Sequence, residues 1–158
     1  MWFTLEPVDL AYVGAAPRHV CGDIVLEVSA PEAFDVLTGD RWLEWFPELR
    51  AIRWDPPRAA GGTRHVRLRR SEAHETFRAW EPAKRLAFSV DRSTFPFMKA
   101  LLVDFQLTAV GGGRSTRLEY CWHYELRGFF KFLGPSVRKR LQRMVSGALA
   151  ALKAFVER

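Results

Sequence analysis

Four residues of this chain have the side-chain chemistry and the placement for proton transfer: Tyr120, Tyr124, Arg70 and Glu75. Each falls where alternation along a strand turns the side chain toward a core. A buried phenol finds a partner, so each tyrosine either donates to a ligand oxygen or bonds a neighbouring backbone group. Arg70 and Glu75 read as the one charged pair turned inward. Desolvated, the two must pair, and the arginine could then receive a carboxylate or phenolate. At a hairpin end open to water, the same two side chains form an exposed ion pair of little energy. Any catalysis here would be proton transfer in an apolar setting, where burial moves a tyrosine or carboxyl pKa.

Other chemistries lack their residues. His19, His65, His74 and His123 are not spaced as ligands on any one element, and the chain carries no GxSxG, HExxH or phosphate-binding glycine loop. No metal or cofactor is expected. Cys21 and Cys121 lie far apart with no CxxC spacing and read as buried free thiols.

The elements that must position these residues follow from patterning. At 158 residues, 48% hydrophobic and 27% charged, the chain has the size and composition of a single domain with a substantial core. Ile24, Leu26 and Val28 alternate as a strand does. Ser29 then caps a short helix over 32–37 with Pro31 in its first turn, and Gly39 ends it. Asp40 is placed to cap a second short helix, in which Trp42, Trp45 and Phe46 share a face.

From 49 to 126 the pattern is strands, and opposing residues in each hairpin should share a face. Matching apolar partners sets Val66 opposite Ala79, Leu68 opposite Phe77 and Arg70 opposite Glu75. It sets Phe77 opposite Phe88 and Ala79 opposite Leu86 around a Pro82-Ala83 turn. Val103, Phe105 and Leu107 then oppose Trp122, Tyr120 and Leu118 around a Gly112-Gly113 loop. The first register leaves Arg67 facing Arg78, a like-charge contact that argues for a slip there. The resulting sheet has one apolar face and one basic face. Leu141, Met144, Val145, Ala148, Leu152 and Phe155 recur at helical spacing, so a C-terminal helix with Ser136 as its cap covers the apolar face.

A strand, two short helices, a run of antiparallel strands and a long final helix is the order of the helix-grip fold. Through VSAPEAFDVLTGDRWLEWFPEL, ETFRAWEPAKRLAFSV and the closing helix ending LKAFVER, the chain resembles the START/Bet v 1-like (SRPBCC) superfamily, in particular its polyketide cyclase/dehydrase type. The resemblance spans 19–158 and leaves residues 1–18 outside. It implies an α+β fold in which a curved antiparallel sheet of about seven strands wraps the helix around an apolar cavity. A hydrophobic small molecule, lipid, quinone or polyketide-like, is the partner it implies.

The expected lining is Trp45, Phe77, Phe88, Phe97, Phe105, Tyr120, Trp122, Tyr124 and Met144. In such a fold, Phe95 and Met98 of the 92–100 loop would face Phe129, Phe130 and Phe132 across an entrance, or these side chains would plug the end of the core. Carriage of a ligand is the first functional expectation, and a cyclase or dehydratase using Tyr120, Tyr124 or the Arg70/Glu75 pair is the second. A third is handling of lipid at an anionic membrane surface, from the apolar tip beside a basic helix start. The net charge of +6 favours anionic partners in general. The basic sheet face lacks exposed aromatic residues for stacking bases, so nucleic acid is not expected. The first twelve residues carry no basic n-region or long apolar run, and a cytoplasmic protein is expected.

Overall fold

The computed structural model describes residues 1–158. Ser29 accepts a hydrogen bond from the Glu32 N–H, and with Pro31 in the first turn the helix α1 runs Ala30–Thr38, ending at Gly39. The second helix, α2 (Trp42–Trp45), has no side-chain cap. The expectation for Asp40 is corrected there, because its carboxylate is held by Arg58 at 2.5 Å instead. The third helix, α3, spans Gly134–Val156 and buries Leu141, Val145, Ala148, Leu149, Leu152 and Phe155, with Met144 half-buried. It starts two residues before Ser136, which is therefore not its cap. It grows directly out of a 3-10 turn over Gly128–Leu133.

Eight antiparallel strands form one sheet. They are β1 (Phe3–Thr4), β2 (Arg18–Leu26), β3 (Leu49–Asp55), β4 (Thr63–Leu68), β5 (Glu72–Glu81), β6 (Arg85–Ser93), β7 (Met98–Val110) and β8 (Ser115–Leu126). The spatial order is β2-β8-β7-β6-β5-β4-β3, with β1 paired to the far end of β6. The first 18 residues thus join the structure, with Leu5 only 3% exposed. The inner face of the sheet packs on α3. At Gly22 in β2, any Cβ would lie 3.0 Å from both Val145 and Leu149, so glycine is what lets helix and sheet approach there.

The β7–β8 register is the expected one, with Val103, Phe105 and Leu107 opposite Trp122, Tyr120 and Leu118. The connection is longer than two residues: Gly111, Gly112 and Gly113 all take positive φ and form a left-handed turn before Ser115. Between β5 and β6, Phe77 opposes Phe88 as expected. A bulge after Phe77 then sets Ala79 opposite Ala87 and Trp80 opposite Leu86. Trp80, not Ala79, therefore enters the interior, where its ring meets Phe77 at 4.9 Å.

The β4–β5 expectation is corrected most. Val66 faces Ala73, and Arg64, not Arg70, faces Glu75. The chain reverses tightly, with the Leu68 N–H bonded to the Ser71 carbonyl, and Arg70 is exposed in that turn. The shift from the expected pairing is an even number of residues. An even slip turns no paired strand residue to the other face, so matching apolar faces could not detect it, although it moves Arg70 from its expected inward place into the exposed turn. It also relieves the Arg67–Arg78 clash, since Arg67 faces Glu72.

Cys21 and Cys121 are directly opposite across β2 and β8, with Cα atoms 4.1 Å apart, and are joined in a disulfide. This corrects the expectation of free thiols. Separation along the chain hid a cross-strand pairing that only the sheet creates.

Candidate binding site

The interior between α2, β3, β4, β5 and β6 holds one ion pair. Arg64 and Glu75 side chains are 2% and 7% exposed, and Arg64 Nε donates to Oε1 at 2.7 Å, with Nη2 2.6 Å from the same oxygen in the ion pair. The guanidinium carbon lies 4.8–5.2 Å from the ring centroids of Trp54, Phe88, Trp42 and Phe77. An aromatic face carries negative quadrupole density, so four rings offset part of the cost of burying the cation. Arg64 is thus partnered by one carboxylate oxygen and a ring cage, while its Nη1 has no hydrogen-bond acceptor.

Two further donors in this region lack partners, Trp54 Nε1 and Trp45 Nε1. Trp42 differs: its Nε1 donates to the Leu37 carbonyl at 2.9 Å. Trp45 lies against it with ring centroids 4.6 Å apart, and Trp54 stacks on Phe77 at 5.5 Å. Buried donors without acceptors each cost about 1–3 kcal/mol, so three in one region is an arrangement that folding alone would not favour.

Tyr120 belongs to the same interior. Its ring stacks on Phe105 at 4.4 Å, and its hydroxyl accepts from Trp122 Nε1 at 2.8 Å. Burial raises its pKa well above the usual phenol value, and the charges of Glu75 and Arg64 act on it. Burial also raises the Glu75 carboxyl, against the opposing pull of the Arg64 charge and hydrogen bond. Glu75 is therefore an inward carboxyl, as expected, with a different partner. Arg64 was missed because the apolar-face match was blind to an even slip. The one available signal was the like-charge contact that the wrong register produced.

The remaining expected residues divide into groups. Tyr124 is fully buried, its hydroxyl unbonded, at the other end of β8 from the loop that joins it to β7. Phe97 meets Phe95 at 4.6 Å and Phe130 at 4.5 Å, so the two apolar segments do cover one another. Phe129 and Phe132 do not join that cover and stand 69% and 71% exposed. Met98 is the first residue of β7 and 2% exposed, so it is a core residue and not part of a loop. Of the aromatic side chains expected to line a cavity, Trp45, Phe77, Phe88, Phe97, Phe105 and Tyr120 lie in ring-to-ring contact, while Trp122 and Tyr124 do not. A surface recess of about 470 Å3 opens instead between Asp9–Ala11 and Ala60–Gly61 and reaches only Phe77 of that set. No helix is long and apolar enough to cross a membrane.

Residues 18–157 match a family described as polyketide cyclase / dehydrase and lipid transport. An uncharacterized protein of Mycobacterium tuberculosis is 28% identical over 130 residues, covering 80% of this chain and 77% of its own. Among solved structures, a START superfamily protein from Mycobacterium smegmatis aligns with a TM-score of 0.72 at 16% identity, over 88% of this chain and 97% of its own. The Zhui aromatase/cyclase from Streptomyces sp. R1128 aligns with a TM-score of 0.74 at 16% identity, over 89% and 94%. At these identities the structural likeness speaks to the helix-grip fold.

Proposed function

Because the chain belongs to the polyketide cyclase / dehydrase and lipid transport family, we propose that it binds a hydrophobic, ring-containing small molecule through a carbonyl or phenol oxygen placed on Arg64. The observation that carries this is the unused donor Nη1 on a cation that is otherwise paired and caged. Because Glu75 already balances the charge, the remaining donor suits a neutral acceptor better than a second carboxylate. Trp54 Nε1 and Trp45 Nε1 supply further donors, and the aromatic rings supply stacking surface. Entry requires those rings to part, and the Phe97–Phe130 contact is the cover to be displaced.

The test compares 2-acetylnaphthalene with 2-ethylnaphthalene, read by the fluorescence of the cage tryptophans. A hydrogen bond from a charged donor is worth roughly 1.5–3 kcal/mol, so the ketone should bind about tenfold or more tightly. The preference should vanish in the double variant Arg64→Met/Glu75→Leu. Equal affinity of the two probes in the unaltered protein refutes the reading.

A second reading draws on the same residues. A cyclase or dehydratase needs an acid or base beside its substrate; burial raises the Glu75 carboxyl toward neutrality and keeps Tyr120 a protonated hydrogen-bond donor. Turnover of a poly-β-carbonyl substrate that is lost in Tyr120→Phe, with probe binding retained, would support it. Binding without turnover in the unaltered protein leaves carriage as the function.

A further inference from the structure

Arg18 is the inward cation that no carboxylate balances. It makes no salt bridge and donates no hydrogen bond, whereas Arg64 and Arg85 each hold a carboxylate. Its guanidinium lies flat on Gly134, the first residue of α3, so closely that a Cβ there would fall 2.6–2.9 Å from Nη1, Cζ and Nη2. The start of a 23-residue helix is the positive end of its dipole, and α3 has neither a side-chain cap nor an acidic residue in its first turn. Arg138 adds a further charge one turn on, its Nη1 bonded to the His19 carbonyl at 2.6 Å. Positive charge has thus been assembled with nothing of opposite sign to hold it.

An independent observation lies beside it. Tyr124 stands directly opposite Arg18 in the β2–β8 ladder, so the two side chains project from the same inner face. The tyrosine is 0% exposed and its hydroxyl bonds nothing. The charges of Arg18 and Arg138 bear on that phenol and oppose the effect of burial on its pKa. The neighbouring carboxylate, Glu125, points to the other face and is engaged by Lys99 and Lys131.

We infer that Arg18, Tyr124 and Arg138 at the start of α3 form an oxyanion site that takes a phosphate-type group. Arg18 supplies a planar pair of donors for two of its oxygens, and the Tyr124 hydroxyl donates to a third from the interior side. The site does not depend on the Arg64 reading. The chemistry is common to a free phosphate and to the head of an amphiphile whose chain runs into the apolar interior. Phe130, four residues before Gly134 and in ring contact with Phe97, supplies an apolar approach that favours the amphiphile.

The experiment titrates the 15N-labelled chain with inorganic phosphate, with dodecyl phosphate below its micelle concentration, and with dodecanol. Amide shifts around Arg18 and Ser136–Arg138 should saturate with dodecyl phosphate. Its affinity should fall about tenfold or more in Arg18→Gln, for the loss of a bidentate charged contact. Tyr124→Phe should weaken it less, with the fold intact by circular dichroism. Dodecanol should be indifferent to both substitutions. Saturable shifts there with inorganic phosphate, no stronger with the dodecyl chain, support the oxyanion site and assign it to a free phosphate. Dodecyl phosphate binding that is unchanged in Arg18→Gln, or shifts confined to other regions, overturns the inference. Loss of the ketone preference at Arg64 would leave it standing.

Discussion

Two arginine–carboxylate pairs sit on opposite faces of the same sheet and are built differently. On the outer face Arg85 bonds Asp104 through two parallel contacts, Nε to Oδ1 at 3.0 Å and Nη2 to Oδ2 at 2.9 Å, and Gln106 Nε2 adds a third at 3.0 Å. That hydrogen bond raises the Arg85 pKa, and Asp104 is 1% exposed with both oxygens engaged. On the inner face Arg64 sets two nitrogens against one oxygen of Glu75, only Nε in a hydrogen bond, and leaves Nη1 without an acceptor. A fully bonded pair holds strands β6 and β7 in place. A half-bonded pair in an aromatic cage keeps capacity for something else. Both look alike as charges in a strand pattern, and only the count of satisfied atoms separates them.

The sharpest break is to remove one inner partner. Arg64→Met alone should cost about 3–5 kcal/mol in urea unfolding, because a carboxyl is left buried without its counter-charge. Arg64→Met/Glu75→Leu should recover most of that loss. A single variant as stable as the double would mean that the pair is solvated and the contrast false.

The disulfide stands beside the outer pair, since Cys121 faces Asp104 across β7 and β8. Cys21→Ala/Cys121→Ala should lower stability by about 2–4 kcal/mol without altering probe affinity. Calorimetry of the two forms checks the first, and the tryptophan titration checks the second.

Asp104→Asn should cost somewhat less, about 1.5–3 kcal/mol, since Arg85 is left partly exposed to water. The 2-acetylnaphthalene titration should not change. An affinity loss matching that of the inner variants would erase the functional difference between the faces.

The smallest effects concern pH. Glu75 is raised above its ordinary value of 4.5, so the folded chain holds a proton that the unfolded chain releases first. Its contribution to stability is complete below about 4.5 and is lost as pH rises through the folded value. His74 and His123 are lowered from 6.5, mainly by burial, so their contribution is present above 6.5 and is lost as pH falls through their folded values. Stability curves of Glu75→Gln and His123→Gln against pH should flatten in those two opposite windows. A flattening with the reversed sign would contradict the burial assigned to each group.

The β7–β8 hairpin shows how far pattern reading reaches. Its strands alternate cleanly and three aligned pairs agree on one register, so the inward placement of Phe105, Tyr120 and Trp122 followed from sequence. The β4–β5 hairpin shows its limit. There the apolar positions fit two registers that differ by an even step, and the choice falls to the turn at Ser71 and to charge across the strands. Site chemistry sat on that ambiguous hairpin, which is why Glu75 was identified as inward while its partner was assigned to Arg70 in place of Arg64.

Amino-acid order alone determined most of the faces, the β5 bulge at Trp80 and the turn at Arg70 excepted, and it determined where α1 begins at Ser29 and that the last helix covers the sheet. Those depend on period and local capping, which are properties of neighbours in the chain. Tertiary structure decided the partners: Arg64 with Glu75, Cys21 with Cys121, Arg18 against Gly134 and opposite Tyr124. Partnership between distant residues depends on register and on the close approach of elements, and both are settled by packing.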